Sequence, residues 1–266
     1  METVPPAQVT GHEQGNQNGK MKRWILCGAL CAFFLGESVA SAAVPRECLQ
    51  LIVGRADGWD SSRGELVLLE RSRAGGKWNK VREGIPALFG RRGLAWGIGV
   101  AGQEQTGPRK KEGDGRAPAG IFQLGRVFGY TPSSLPGTRL PYYQVTENDA
   151  WIEDPKHPDY NRLVRVDPEN RPSWFSRQQM KQNDYAHEWK IEIRHNADPP
   201  VPGAGSAILF HIWRGPDRPS SGCTTLHKSE ILGLMQWLRP EAHPHYVLLP
   251  KAEYERLQKA WRLPEI

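Results

Sequence analysis

Ala207-Ile208-Leu209-Phe210-His211-Ile212-Trp213 is followed by Arg214-Gly215-Pro216-Asp217-Arg218-Pro219 and then by Ser220-Ser221-Gly222-Cys223-Thr224-Thr225-Leu226. The apolar run reads as a strand that ends by delivering a histidine. The Gly/Pro-rich segment breaks it and turns back. A cysteine then arrives directly after a glycine. Twelve positions apart and separated by turn residues, His211 and Cys223 share neither a strand nor a helix face, but they can meet where a strand end and a loop come together. A thiol nucleophile and its base need that arrangement. An adjacent imidazole is expected to raise the thiolate population at neutral pH. Gly222 lets the backbone approach a substrate, and the amides of Gly222 and Cys223 are candidates to receive an oxyanion. The alternative is packing: cysteine is often a small buried hydrophobe, and a strand-end histidine is often structural.

The N-terminal region bears on that choice. Met1 to Lys20 is polar and rich in Gly, Gln and Asn, and reads as a disordered extension or a mis-chosen start. Met21-Lys22-Arg23, an apolar run from Trp24 to Leu35, and Val39-Ala40-Ser41-Ala42-Ala43 then form the three parts of a secretory signal, with 21–42 removed on export. The apolar run is too short for a comfortable membrane span, so no stable span is expected after cleavage. An uncleaved anchor is the rival reading. Cys27 and Cys31 would leave with the signal, and Cys48 and Cys223 would remain. A thiol kept free in an oxidising compartment is more easily explained by catalysis than by packing.

Residues 43–266 suit a single domain. Short runs at Leu49–Gly54, Glu65–Arg71 and Lys77–Arg82, separated by Gly- and Ser-rich turns, predict an antiparallel meander. Ile85–Phe89 and Gly97–Val100 continue the pattern, and Ile121–Tyr130, Trp189–Arg194 and Tyr246–Leu249 read as further strands. Ile231, Leu234, Met235 and Leu238 mark one face of a helix that Pro240 ends, and Ala252–Trp261 predicts a second. The fold class is therefore mainly β with a few peripheral helices. About 132–189, rich in Pro, Tyr, Trp and Arg, is read as a long insertion forming a lid or wall. It carries a strand at Trp151-Ile152-Glu153, a short helix at Arg177–Lys181, and a polar Asp159-Tyr160-Asn161-Arg162 able to reach a ligand.

Other signals carry less. Gly97-Ile98-Gly99-Val100-Ala101-Gly102 spells a dinucleotide-binding string, but the polar, Gly-Pro-interrupted stretch after it has no helical period. His243-Pro244-His245 lacks the further ligands of a metal site, so neither a metal nor an organic cofactor is implied. The net charge of +6 is scattered, which favours contact with an anionic polymer such as a cell wall. No recognition-helix or zinc-ligand pattern points to nucleic acid.

Phe210-His211, a short loop and Ser221-Gly222-Cys223 resemble the catalytic segment of the L,D-transpeptidase (YkuD-type) family, with its Ser-His-Gly-Cys signature. Gly113-Asp114-Gly115-Arg116-Ala117-Pro118-Ala119-Gly120-Ile121-Phe122 is similar to the family's Gly-x-x-x-x-Pro-x-Gly-x-Phe segment, in the same order along the chain. The resemblance implies a YkuD-like β-sandwich catalytic domain. It also implies an exported acyltransferase of the periplasm or cell envelope, which attacks peptidoglycan stem peptides through a cysteine thioester and serves wall cross-linking or remodelling. Cys223 would be the nucleophile and His211 the base. A backbone carbonyl would orient the histidine, with Asp217 a possible substitute. The chain departs from the pattern in having Ser221 for the signature histidine, Thr224-Thr225 where Arg or Asn is frequent, and Ile212-Trp213 after His211. Ser221, Arg214, Arg218, His195 and Asn196 are the expected substrate contacts, the arginines pairing with a stem carboxylate. A related hydrolase and a non-catalytic wall-binding module are the alternatives.

Overall fold

The computed structural model describes residues 43–102 and 105–266. The expected extension (1–20) and the signal sequence (21–42) lie outside the described residues. Among the described residues there are twelve strands: β1 Gln50–Ala56, β2 Arg63–Glu70, β3 Asn79–Leu88, β4 Leu94–Trp96, β5 Ala117–Gly129, β6 Tyr142–Gln144, β7 Asp149–Trp151, β8 Leu163–Arg165, β9 Trp189–Ile193, β10 Leu209–Ile212, β11 Thr224–Leu226 and β12 His245–Pro250. Helices are few and peripheral: α1 Phe175–Gln178, α2 Lys228–Trp237 and α3 Lys251–Leu257. The mainly β reading holds.

β1, β2 and β3 form the expected antiparallel meander. The two halves of the expected sandwich are continuous: the order β12-β1-β2-β3-β11-β10-β9-β5 returns to β12 through a β5–β12 pairing and closes a ring. Closure removes the open edges that an isolated sheet would present. β12 is the keystone, running parallel to β1 and antiparallel to β5.

Alternation along each strand sorts side chains between two sides of the ring. Trp189, Ile191 and Ile193 of β9 and Phe210 and Ile212 of β10 enter the main core, where Phe210 meets Tyr246 with ring centroids 4.6 Å apart. Lys190, Leu209 and His211 take the opposite face. Leu209 packs there with Phe128, Val145, Trp151 and Met180 in a second cluster. Val145, Trp151 and Met180 come from the aromatic-rich segment, which lies against the ring as a wall.

Several boundaries differ from the sequence reading. Gly97–Val100 is irregular, and Gly97 has no room for a Cβ against Pro118 and His195, so its role is close packing after β4. The predicted helix at Arg177–Lys181 lies earlier, at Phe175–Gln178, because buried Phe175 anchors it. α3 ends at Leu257, though Trp261 is buried beyond it. α2 buries Ile231, Leu234 and Met235 as the periodicity requires.

Candidate active site

β10 runs parallel to β11, with His211 level with Thr225. Parallel neighbours cannot be joined by a tight hairpin and need a crossover. The Gly/Pro-rich loop after His211 supplies it and returns Cys223 to the start of β11. Two residues before Thr225, Cys223 lies on the outward face that carries His211, one strand away. Ser220 pins the end of this loop: its N–H donates to the Phe89 carbonyl at 2.9 Å and its own carbonyl accepts from Arg91 N–H at 2.8 Å. The Ser220 hydroxyl donates to the Cys223 carbonyl at 2.5 Å and accepts from Gly222 N–H at 3.0 Å.

His211 is buried, and its Nδ1 lies 2.9 Å from the Ile212 carbonyl. A carbonyl only accepts, so Nδ1 carries the proton and Nε2 is left as the ring's acceptor. The His187 ring stacks on it at 4.7 Å between centroids. Burial, reinforced by the charges of His187, Arg214 and Lys190 against the opposing Ile212 carbonyl, pushes the His211 pKa down to about 3.

Cys223 is half-buried, with its sulfur 3.5 Å from the Ala207 carbonyl. Burial pushes the thiol up to about 11, against a hydrogen bond from the Leu209 backbone and the charges of Lys110 and Lys190. Burial thus opposes the thiolate that the sequence leads one to expect at neutral pH. At this depth burial disfavours the charged form of both groups, the thiolate and the imidazolium.

Both groups open on one cleft of about 350 Å³. Trp151, Glu153, Met180, Ala207, Leu209 and Gly222 are among the residues that line it. A larger hollow of about 500 Å³ is lined by Trp213, Pro216 and Asp217 of the crossover loop and by neither Cys223 nor His211. At the cleft, Glu153 is exposed, yet the surrounding protein and then the Glu112 carboxylate push its pKa up to about 7. Glu112 is fixed by hydrogen bonds from the Tyr160 hydroxyl at 2.5 Å and the Ser206 hydroxyl at 2.7 Å.

A family model described as the L,D-transpeptidase catalytic domain (YkuD) matches residues 79–247, well over half of the chain. The chain belongs to this family. No curated protein and no solved structure matches it. The matched span begins at β3, so β1 and β2, which complete the ring, lie before it.

Set against the L,D-transpeptidase pattern, the expected contacts divide. Ser221 and Arg214 line the cleft, while Arg218 does not. The Arg214 guanidinium is already bound by the Asp184 carboxylate, and the Ser221 hydroxyl accepts from Arg91 at 2.8 Å. Of the two proposed oxyanion donors, the Gly222 amide is engaged by Ser220, so the Cys223 amide is the better candidate. Gly222 is needed for a different contact than expected: a Cβ there would sit 3.1 Å from the Arg116 carbonyl. Asp217 pairs with Arg63 at 3.2 Å instead of orienting His211.

The structure does not bring His195 and Asn196 into the cleft. His195, 2% exposed, accepts from Ile98 N–H at 3.2 Å and donates to the Ala204 carbonyl at 3.0 Å. The Asn196 amide holds Val201 and Gly205. Asn161 is likewise internal, accepting from Trp151 Nε1 and Ala207 N–H and donating to the carbonyls of His195 and Asn196. It braces the wall against the segment leading into β10.

Sequence reasoning missed His187 and Lys190. His187 follows Asp184 in a short 3-10 turn, Tyr185–His187, and Asp184 caps that turn. Asp-x-x-His before a strand was the available signal. Lys190 sat on the alternate face of an amphipathic strand, which ordinarily means solvent; here the wall covers that face.

Proposed function

We propose that the protein is an exported cysteine acyltransferase acting on peptidoglycan stem peptides, with Cys223 as nucleophile and His211 as base. The observation that carries this reading is the Nδ1–carbonyl bond from His211 to Ile212, which leaves Nε2 as the free acceptor of a ring that lines the same cleft as the Cys223 thiol. Membership of the L,D-transpeptidase catalytic-domain family supports the substrate class, and the signal-like 21–42 segment supports the periplasm or envelope as its place.

In the first half-reaction the Cys223 proton passes to His211 Nε2 as sulfur attacks the stem-peptide carbonyl carbon. The oxyanion is received by the Cys223 amide. Collapse breaks the C–N bond, the imidazolium returns its proton to the departing amine, and a thioester remains. In the second, an acceptor amine attacks the thioester and gives its proton to His211. The sulfur leaves and regains a proton, and a new amide is released.

The test incubates the chain from Ala43 with disaccharide-tetrapeptide and a D-amino acid, followed by intact mass. A product carrying the acceptor, absent for Cys223→Ala, supports transfer. Release of the terminal residue with only water gained assigns hydrolysis. Absence of both product and acyl-enzyme overturns the stem-peptide reading.

A further inference from the structure

Lys190 is 1% exposed, yet it lies on the outward face of β9 in register with His211 on β10 and lines the cleft with Cys223. Directly opposed residues on neighbouring strands project to the same side. Its Nζ donates to the Met180 carbonyl at 3.0 Å and sits 5.2 Å from the centre of the Tyr130 ring. An ammonium has three donors, and no carboxylate lies within salt-bridge distance of this one among the described residues. A buried cation without a paired carboxylate is expensive, and that cost points to a use.

The neighbouring charges leave Lys190 as the group suited to face an anion on sulfur. Arg214 is held by Asp184, and Lys110 donates to Asp114 at 2.6 Å. Asp184 also accepts a hydrogen bond from His187 Nδ1–H at 2.8 Å, and it acts on Lys190 only from a distance. Glu112 is occupied by Tyr160 and Ser206, and Glu153 opposes an anion at the cleft. His211 resists a positive charge of its own.

We propose that the Lys190 ammonium is a positioning residue that offsets the negative charge developing on the Cys223 sulfur while keeping His211 a neutral base. This rests on Cys223 being the nucleophile of the reaction proposed above. No proton leaves Lys190 in the cycle; it acts by its field. Burial pushes its pKa down to about 8. The field is therefore present at neutral pH and fades as pH rises past that value.

The test is the rate of Cys223 alkylation by iodoacetamide across pH 6 to 10, read by peptide mass, in wild type, Lys190→Met and Lys190→Arg. The assay needs no stem peptide, so it gives an answer even if the stem-peptide assay fails. Below pH 8, Lys190→Met is expected to be about tenfold slower, the effect of about one pKa unit on the thiol. Lys190→Arg should stay within about threefold of wild type, since it retains a charge. The wild-type and Lys190→Met lines should converge above pH 8, which a packing role would not produce. A Lys190→Met profile that overlays wild type, or one displaced equally at every pH, overturns the proposal. Circular dichroism of each variant identifies any that fails to fold, in which case Lys190→Gln replaces Lys190→Met.

Discussion

The imidazole of His187 lies on that of His211, with ring centroids 4.7 Å apart and planes 26° from parallel. The Asp184 carboxylate holds the His187 ring from behind at 2.8 Å. His211 is thus fixed along one edge by a carbonyl and across one face by a second ring.

If the stack serves to hold the base, its shape matters more than its nitrogen. His187→Phe is expected to keep stem-peptide acylation within about threefold of wild type. His187→Ala is expected to lose roughly three- to tenfold, the scale of one aromatic contact. Intact-mass kinetics of the acyl-enzyme, with melting curves for each variant, would check this. Equal losses for Phe and Ala would show that the imidazole chemistry matters.

Ser220 clamps both sides of the Gly222-Cys223 segment through one hydroxyl. Ser220→Ala is expected to slow acylation about tenfold by loosening the Cys223 amide, the scale of a partly lost oxyanion donor. Alkylation of the thiol should be nearly unchanged, because iodoacetamide generates no oxyanion. A parallel fall in both rates would place the effect on the sulfur instead.

Asn161 tests the bracing of the wall. Its amide makes four hydrogen bonds, and its φ of 56° is a left-handed conformation that asparagine tolerates and a branched apolar residue resists. Asn161→Leu is expected to cost about 3 kcal/mol in urea unfolding, from buried groups left without partners. A change below about 1 kcal/mol would mean that the wall is held by its apolar cluster.

Acid should destabilise the protein. His187, His195, His211 and His245 all have pKa values lowered chiefly by burial, to about 4 for His195. Below about pH 6.5 the unfolded chain takes up protons that the folded one resists, so this contribution is full above that pH and falls between about 6.5 and 3. Glu153, raised to about 7, works in the opposite sense, but it is one group against four. Melting temperature should fall from pH 7 to pH 5, and less steeply in His195→Gln. A flat profile would count against neutral burial of these rings.

Most strands were legible because apolar alternation and Gly-rich turns are local signals; β1, β2, β9 and β12 lie close to where those signals put them, while the separate runs at Lys77–Arg82 and Ile85–Phe89 are one strand, β3. Ring closure was not legible, since nothing local in His245–Pro250 says that it pairs with both β1 and β5. Of the site, Cys223 and His211 stood out by residue type and spacing. Arg214 looked available because sequence cannot show that Asp184, thirty residues earlier, already occupies it. Lys190 looked solvated because alternation reports which side a residue takes and not what covers that side. His195 and Asn196 looked functional for being polar at a strand end, where their actual partners are backbone groups.

The two strands that β12 joins lie far earlier in the chain, and this orders assembly in time. As the polypeptide is made from its N-terminus, β1 must wait for His245–Pro250 before its parallel partner exists, and β5 waits for the same strand. Contacts this distant in sequence form slowly and reward the chain only near the end of folding. Cys223 emerges before β12, so a nascent chain stalled between them carries the thiol on an open sheet. Closing the ring is then also the step after which the Cys223 thiol sits in a formed cleft and no longer on an open sheet.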